Sequence, residues 1–126
     1  MNAKTMFPKE LISGADVHDA KGKPIYLNAT ITGLKQIPVG QEKELRWALL
    51  FAGTDRKLTL NVTNNDRLIE LFGGETEDWI GQKIALHGDK ATFGGKTVPA
   101  VRIEEAAVGA PELAQVKGFD PDDIPV

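Results

Sequence analysis

The sequence predicts an all-β domain in which one helix separates the third of five strands from the fourth, followed by a disordered acidic C-terminal tail. Three observations predict this arrangement. Five segments have the character of strands, three of them (25–32, 45–51 and 57–62) with apolar and polar residues alternating at a period of two; a segment between the third and the fourth changes to a helical period, and the residues after 104 lose both patterns. With 126 residues, the chain has the usual size of a single domain.

The alternating pattern defines the strands and their faces. In the second of them, Leu45, Trp47, Leu49 and Phe51 fall on one face. The predicted strands are 25–32, 45–51, 57–62, 83–87 and 97–103. A loop at 38–40 is predicted between the first two, and a glycine turn at 94–95 joins the last two. Period two alone does not say which face points inward, so it leaves open whether Trp47 lies in the core or at the surface.

The helical segment follows the third strand. Thr63 or Asn64 is predicted to cap its start and Gly73 to end it, with Leu68, Leu71 and Phe72 on one side. Three strands, a helix and two strands is the order of the OB fold, a five-stranded barrel that binds oligonucleotides or oligosaccharides on strands 2 and 3 and the adjoining loops. An SH3-like barrel is the main alternative, but it predicts no helix at this point. The chain then divides into an N-terminal segment packed on the barrel (1–22), the OB domain (23–104), a linker (105–117) and an acidic tip (118–126).

Charge is distributed unevenly along the chain. The net charge is −3, but residues 1–103 carry 14 basic and 12 acidic side chains, whereas residues 104–126 carry one lysine and six acids. A slightly basic body with an acidic appendage is compatible with nucleic-acid binding by the body. The tip itself has too few apolar residues to form a core and is expected to be disordered when free.

The tip also carries a resemblance. Residues Phe119-Asp120-Pro121-Asp122-Asp123-Ile124-Pro125-Val126 are similar to the acidic tip of bacterial single-stranded DNA-binding proteins, although Val126 stands where that family usually has phenylalanine and Pro121 interrupts the acidic run. The stretches 60–64 and 78–83 resemble a group of small phage-encoded proteins. The resemblance implies an OB domain that coats single-stranded DNA and a tip that recruits replication, recombination and repair proteins. The implied partner-binding residues are Phe119, Asp120, Asp122, Asp123, Ile124, Pro125 and Val126.

Proteins of this kind combine exposed aromatic rings, on which bases stack, with cations that contact phosphates. The aromatic candidates are Tyr26, Trp47 and Phe93, whereas Phe51, Phe72 and Trp79 are predicted to belong to the core. The cationic candidates lie in the predicted loop between strands 1 and 2, near strands 2 and 3, and near the last hairpin: Lys35, Lys43, Arg46, Arg56, Lys57, Lys90, Lys96 and Arg102. For any single lysine, a solvated surface position is the alternative.

Other chemistry finds little support in the sequence. Gly95-Lys96-Thr97 resembles the end of a phosphate-binding loop, but the earlier glycine is replaced by Lys90 and a strand follows. With two unpaired histidines and no cysteine, neither a metal site nor a cofactor is expected, and no residue set predicts an enzyme. We expect a cytoplasmic protein without a signal peptide or membrane span, and exposed sheet edges are compatible with a homo-oligomer. Two functional alternatives remain: a protein whose tip mimics a host DNA-binding protein to sequester its partners, and an OB-type module that binds protein or sugar.

Overall fold

The computed structural model describes residues 11–39 and 41–115, which form five antiparallel strands and one α-helix. The elements are β1 (Tyr26–Val39), β2 (Glu44–Phe51), β3 (Lys57–Thr59), α1 (Val62–Phe72), β4 (Lys83–Phe93) and β5 (Lys96–Glu105). Three short 3-10 helices flank them at Gly14–Val17, Thr76–Trp79 and Leu113–Gln115. The strand order in the sheet is β3-β2-β1-β4-β5. A mostly β fold with one helix between β3 and β4 is therefore confirmed.

The long first strand joins the two halves of the sheet. Its first part pairs with β4, from Tyr26 opposite His87 to Thr30 opposite Lys83. Its second part pairs with β2, and the register shifts between Ile31 and Gly33. The loop predicted at 38–40 begins later than predicted, because β1 continues to Val39. Among the residues that the structure describes, β1 pairs only with β2 in this part, so Pro38 has no ladder to interrupt on its other edge.

The predicted closed barrel is not what the sheet forms. Within the described residues β3 and β5 are not paired, so the sheet stays open between them. The N-terminal segment enters this gap: the Ile12 N–H donates to the Lys57 carbonyl at 2.8 Å, and Gly14 packs on β5. A Cβ on Gly14 would lie 2.3 Å from the Pro99 carbonyl carbon and oxygen, so only glycine permits this approach.

The helix covers the rest of the open edge of β5. The side-chain amide of Asn64 donates to the Val101 carbonyl at 3.0 Å and accepts from the Ile103 N–H at 3.2 Å. Asn64 is almost completely buried, so one side chain supplies the donor and the acceptor that a neighbouring strand would supply. The predicted helix cap, Thr63 or Asn64, was wrong, because the side chain of Asn64 bonds to β5 instead. Asn61 caps the helix, and its side chain accepts from the Asn64 N–H at 2.8 Å. Gly73 ends the helix as predicted, with a φ of 92°.

The core lies on the inner face of the sheet, under α1. It contains Ile31, Leu49 and Phe51 from the first two strands, together with Trp79, whose indole N–H donates to the Gly73 carbonyl at 2.8 Å. The predicted core positions of Phe51 and Trp79 are confirmed, and Phe72 packs against the same cluster while half-buried.

The stretch predicted as a linker is described as far as Gln115, and that part lies against β1. The Asn28 side chain donates to the Ala107 carbonyl at 2.6 Å and accepts from its N–H at 2.8 Å. Leu113 is buried in the core cluster, and Lys83 forms an ion pair with Glu112 at 2.5 Å. The small residues of this stretch led to its prediction as a linker. Its own buried leucine, Leu113, and the buried Asn28 of β1 nevertheless hold it to the sheet.

Candidate functional site

A groove lies between the β1–β2 hairpin and the start of α1. It has a volume of about 580 Å³ and an open mouth. Apolar and amide side chains line it, together with both tryptophans and one arginine: Leu34, Arg46, Trp47, Leu60, Asn61, Val62, Asn65, Thr76 and Trp79. Trp79 is buried in its wall, whereas Trp47 stands at its edge with 53% of its surface exposed.

Trp47 is exposed because the hairpin extends beyond the core. It shares a face of β2 with Leu49 and Phe51, which are buried, and with Leu45, which is 62% exposed. The inner face of β2 therefore runs from the core out into solvent within a few residues. The half of the indole that remains exposed contributes little to folding, so Trp47 stays a candidate for contact with a ligand.

Three of the predicted cations come together on the other face of the same strands. Lys35 lies opposite Ala48, Arg46 opposite Ile37 and Lys57 opposite Leu50, which places all three on the outer face of β1, β2 and β3. We call these three residues the basic face. Arg46 is half exposed and forms an ion pair with Glu44 at 3.4 Å, and the Lys57 ammonium donates to the Asp55 carbonyl at 3.0 Å. Lys43 lies in the hairpin turn next to this face, with a φ of 52°.

Arg56 has a different role from these three. Its guanidinium forms an ion pair with Asp16 at 2.7 Å, and the two side chains are only 12% and 8% exposed. Asp16 also accepts from the Ser13 N–H at 2.8 Å. Arg56 thus ties the N-terminal segment to the loop before β3, and breaking a buried pair would leave an uncompensated charge. We therefore leave Arg56 out of the proposed interface.

The remaining candidates lie at the other end of β1 and in the last hairpin. Tyr26 is 43% exposed and stacks on His87, with ring centroids 4.3 Å apart. Arg102 lies opposite His87 and forms an ion pair with Asp89 at 3.6 Å. Three candidates belong to the β4–β5 hairpin: Lys90, Phe93 and Lys96. The pairing of β4 with β1 ends at His87, so this hairpin and the β1–β2 hairpin extend from opposite ends of that ladder. The structure thus places the candidates in two groups rather than along one groove.

Sequence reasoning missed His87 as a partner of Tyr26. The signal that could have found it is the alternation in β4, which puts His87 on the polar side, but only the register sets it opposite Tyr26. The candidate tip residues Phe119, Asp120, Asp122, Asp123, Ile124, Pro125 and Val126 lie outside the described residues.

No metal centre and no membrane span are found in the part of the chain that the structure describes. Residues 11–39 and 41–115 contain no group of three or more histidines and acids placed to hold a metal ion. None of the helices among these residues has the length and apolar character needed to cross a membrane. Comparison of the chain with protein-family models, with curated proteins and with solved structures gives no match. The function is therefore inferred from the fold, the groove and the charges.

Proposed function

We propose that this chain is an OB-type module that coats single-stranded DNA without sequence preference and recruits replication, recombination and repair proteins through its tip, 118–126. The OB assignment is supported by the strand order and by β1, which pairs with β2 and with β4 as the first strand of such a barrel does. The helix follows β3, and the N-terminal segment and Asn64 occupy the place where β3 and β5 would meet. In this fold the ligand lies on strands 2 and 3, where the groove and the basic face are found.

The observation that carries the proposal is the exposed indole of Trp47 at the edge of the groove. An aromatic ring with one free face stacks on any base, because every base has a π-face, and each such contact contributes about 1–3 kcal/mol to single-strand binding. Leu34, Leu60 and Val62 give the groove the apolar lining that suits a base edge. The amides of Asn61 and Asn65 add donors and acceptors without net charge.

The basic face supplies the contacts to phosphates. Lys35 and Arg46 are exposed, and phosphate contacts of this kind provide affinity that does not depend on base sequence. The ion pair between Arg46 and Glu44 does not prevent this role. An exposed pair contributes at most about 1 kcal/mol, so the guanidinium can exchange the carboxylate for a phosphate at little cost.

The charge contribution can be tested with a Lys35→Gln, Arg46→Gln double variant. We expect the slope of log affinity against log salt concentration for oligo-dT to decrease in magnitude by about 0.7 for each phosphate contact removed. The measurement is fluorescence anisotropy of a labelled strand over a series of salt concentrations.

A double variant with the same change in charge, Lys21→Gln and Lys23→Gln, is the matched control. These two lysines are exposed in the turn before β1, and their removal should leave the slope unchanged. Equal slopes for both double variants would show that the basic face makes no phosphate contact.

The tip is proposed to compete with DNA for the basic face. The described chain ends at Gln115, and its neighbour Ala114 packs beside Gly53 in the turn between β2 and β3. Eleven residues follow, which span at most about 36–40 Å when extended. The three aspartates of the tip are therefore tethered within reach of the basic face at a high effective concentration.

Deleting 118–126 is expected to tighten binding of single-stranded DNA at low salt and to abolish capture of partner proteins. A chain with the same residues of the tip in scrambled order keeps the charge, so it should bind DNA like the full chain yet lose the partners. Affinity and partner capture are measured on the three proteins in parallel. Unchanged DNA affinity after deletion would end the self-competition idea, and loss of all function on scrambling would favour the partner-mimic alternative.

A further inference from the structure

A second aromatic site lies on the outer face of β1, β4 and β5. Tyr26, His87 and Arg102 form one cross-strand row, since Tyr26 is opposite His87 and His87 is opposite Arg102. The rings of Tyr26 and His87 stack with an interplanar angle of 17° and a centroid distance of 4.3 Å. His87 occupies one face of the tyrosine ring, and the 43% exposure of Tyr26 leaves surface of the ring open to solvent.

The neighbouring row on this face is covered. Asn28 follows Tyr26 on the outer side, and its side chain is held by both backbone groups of Ala107. Ala85, opposite Asn28, is completely buried although it faces outward. Tyr26, two residues before Asn28, is by contrast 43% exposed, so the Tyr26–His87 stack presents an open aromatic surface.

The chemistry beside the stack suits a neutral planar ligand better than a phosphate. His87 and Arg102 border a cleft of about 300 Å³ that Asp89, Arg67 and Glu104 also line. The two arginines are already paired: Arg102 with Asp89 at 3.6 Å, and Arg67 with Glu104 at 2.8 Å. The bond to Glu104, with a second from Arg67 to Glu70, raises the pKa of Arg67, so this guanidinium stays charged and paired. Both arginines near the stack are thus engaged, which leaves little free positive charge for a phosphate.

We propose that Tyr26, supported by His87, forms a second subsite that binds a nucleobase. The base stacks on the face of Tyr26 that His87 leaves open, and His87 holds the tyrosine ring from the other side. This inference rests on the proposed function and adds to it a second contact on the same strand. Gln36, which lies opposite Trp47, is ten residues from Tyr26 along β1, a separation of at most about 34 Å. Tyr26 lies on the outer face of the sheet and Trp47 on the inner face, so a single strand that contacts both rings passes round an edge of the sheet between them.

The test uses the full chain, an oligo-dT of about 35 nucleotides and an abasic strand of the same length. Tyr26→Ser removes the ring and Tyr26→Phe keeps it, so the second variant is the matched control. We expect Tyr26→Ser to weaken binding of oligo-dT by about 5- to 100-fold, the value of one stacked base. Tyr26→Phe should bind like the wild-type chain. On the abasic strand all three proteins should bind equally, because no base is present to stack.

Combination with Trp47→Ala separates this inference from the proposed function. If the two rings hold different bases of one strand, the losses from Tyr26→Ser and Trp47→Ala multiply. Wild-type affinity of Tyr26→Ser for oligo-dT, with Trp47→Ala impaired, overturns the second subsite and leaves the groove standing. An equal loss on the abasic strand overturns the assignment to a nucleobase. Failure of the wild-type chain to bind any single strand overturns the proposed function itself. Thermal melting of each variant reports whether it is folded.

Discussion

Replacing Trp47 with alanine is expected to weaken binding of single-stranded DNA by about 5- to 100-fold while changing the free energy of unfolding by less than about 1 kcal/mol. Binding is affected because the indole stands at the edge of the groove with half of its surface open. Stability is spared because β2 already lies outside the core at this residue, as the exposure of Leu45 and Arg46 indicates. The two quantities are measured by anisotropy of a labelled oligo-dT and by urea denaturation.

Three further variants make this result specific. Trp47→Phe keeps a smaller ring and should retain most of the affinity, whereas Val108→Ala trims a fully exposed side chain far along the sequence from the groove and should change nothing. Trp79→Phe leaves Trp47 as the only tryptophan, and its fluorescence should be quenched when DNA is added. A stable Trp47→Ala protein with wild-type affinity would contradict the assignment of the groove.

Replacing Asn64 with alanine is expected to lower the free energy of unfolding by about 1–3 kcal/mol, because it leaves the Ile103 N–H buried without a partner. The Val101 carbonyl would keep only its bond from the Arg102 guanidinium, at 3.2 Å. The Val101 carbonyl and the Ile103 N–H now bond to the Asn64 amide, at 3.0 and 3.2 Å. The bonds cover the edge of β5 that faces the opening between β3 and β5. Urea denaturation measures the change.

Asn65→Ala is the matched control, because it removes the same side chain from the next residue of α1. Asn65 is half-buried in the groove and its backbone N–H keeps its bond to the Asn61 carbonyl. The control should therefore alter stability by no more than about 0.5 kcal/mol. Similar stabilities for the two variants would mean that Asn64 does not hold β5 in place.

Local patterns predicted the strands well because the alternation of apolar and polar residues reflects burial on one face. The same alternation placed Trp47 with Leu49 and Phe51 but could not say where the core ends along β2. That limit depends on how far α1 and the 3-10 helix Thr76–Trp79 extend over the sheet, which is a non-local property. The sequence therefore identified Trp47 as a candidate for base stacking, but it could not predict that the side chain is exposed.

The helix start and the opening in the sheet were missed for a related reason. Residues 61–65 contain several good N-cap residues, and the choice among them is made by β5, which uses the side chain of Asn64. The gap between β3 and β5 is likewise set by contacts between distant segments. Gly14 could have been found only through its approach to Pro99, which no local pattern encodes.

Charge was the least predictable part of the site. Arg46 and Arg56 look alike in sequence, since one lies at the start of a predicted strand and the other just before one, yet Arg46 is half exposed and Arg56 is buried against Asp16. The partner of Arg56 is forty residues away, so its pairing depends on the path of the N-terminal segment. Lys35 was placed in a loop by the sequence and lies in β1, where the register brings it onto the same face as Arg46.

The central claim, that this chain binds single-stranded DNA, is tested most directly by titrating the full chain into a fluorescent oligo-dT of about 35 nucleotides at low and at moderate salt. A duplex of the same length is the control. The proposed function predicts tight binding to the single strand that weakens as salt rises, with much weaker binding to the duplex. Absence of binding to the single strand at low salt would contradict the claim and would leave the tip as the active element of the chain.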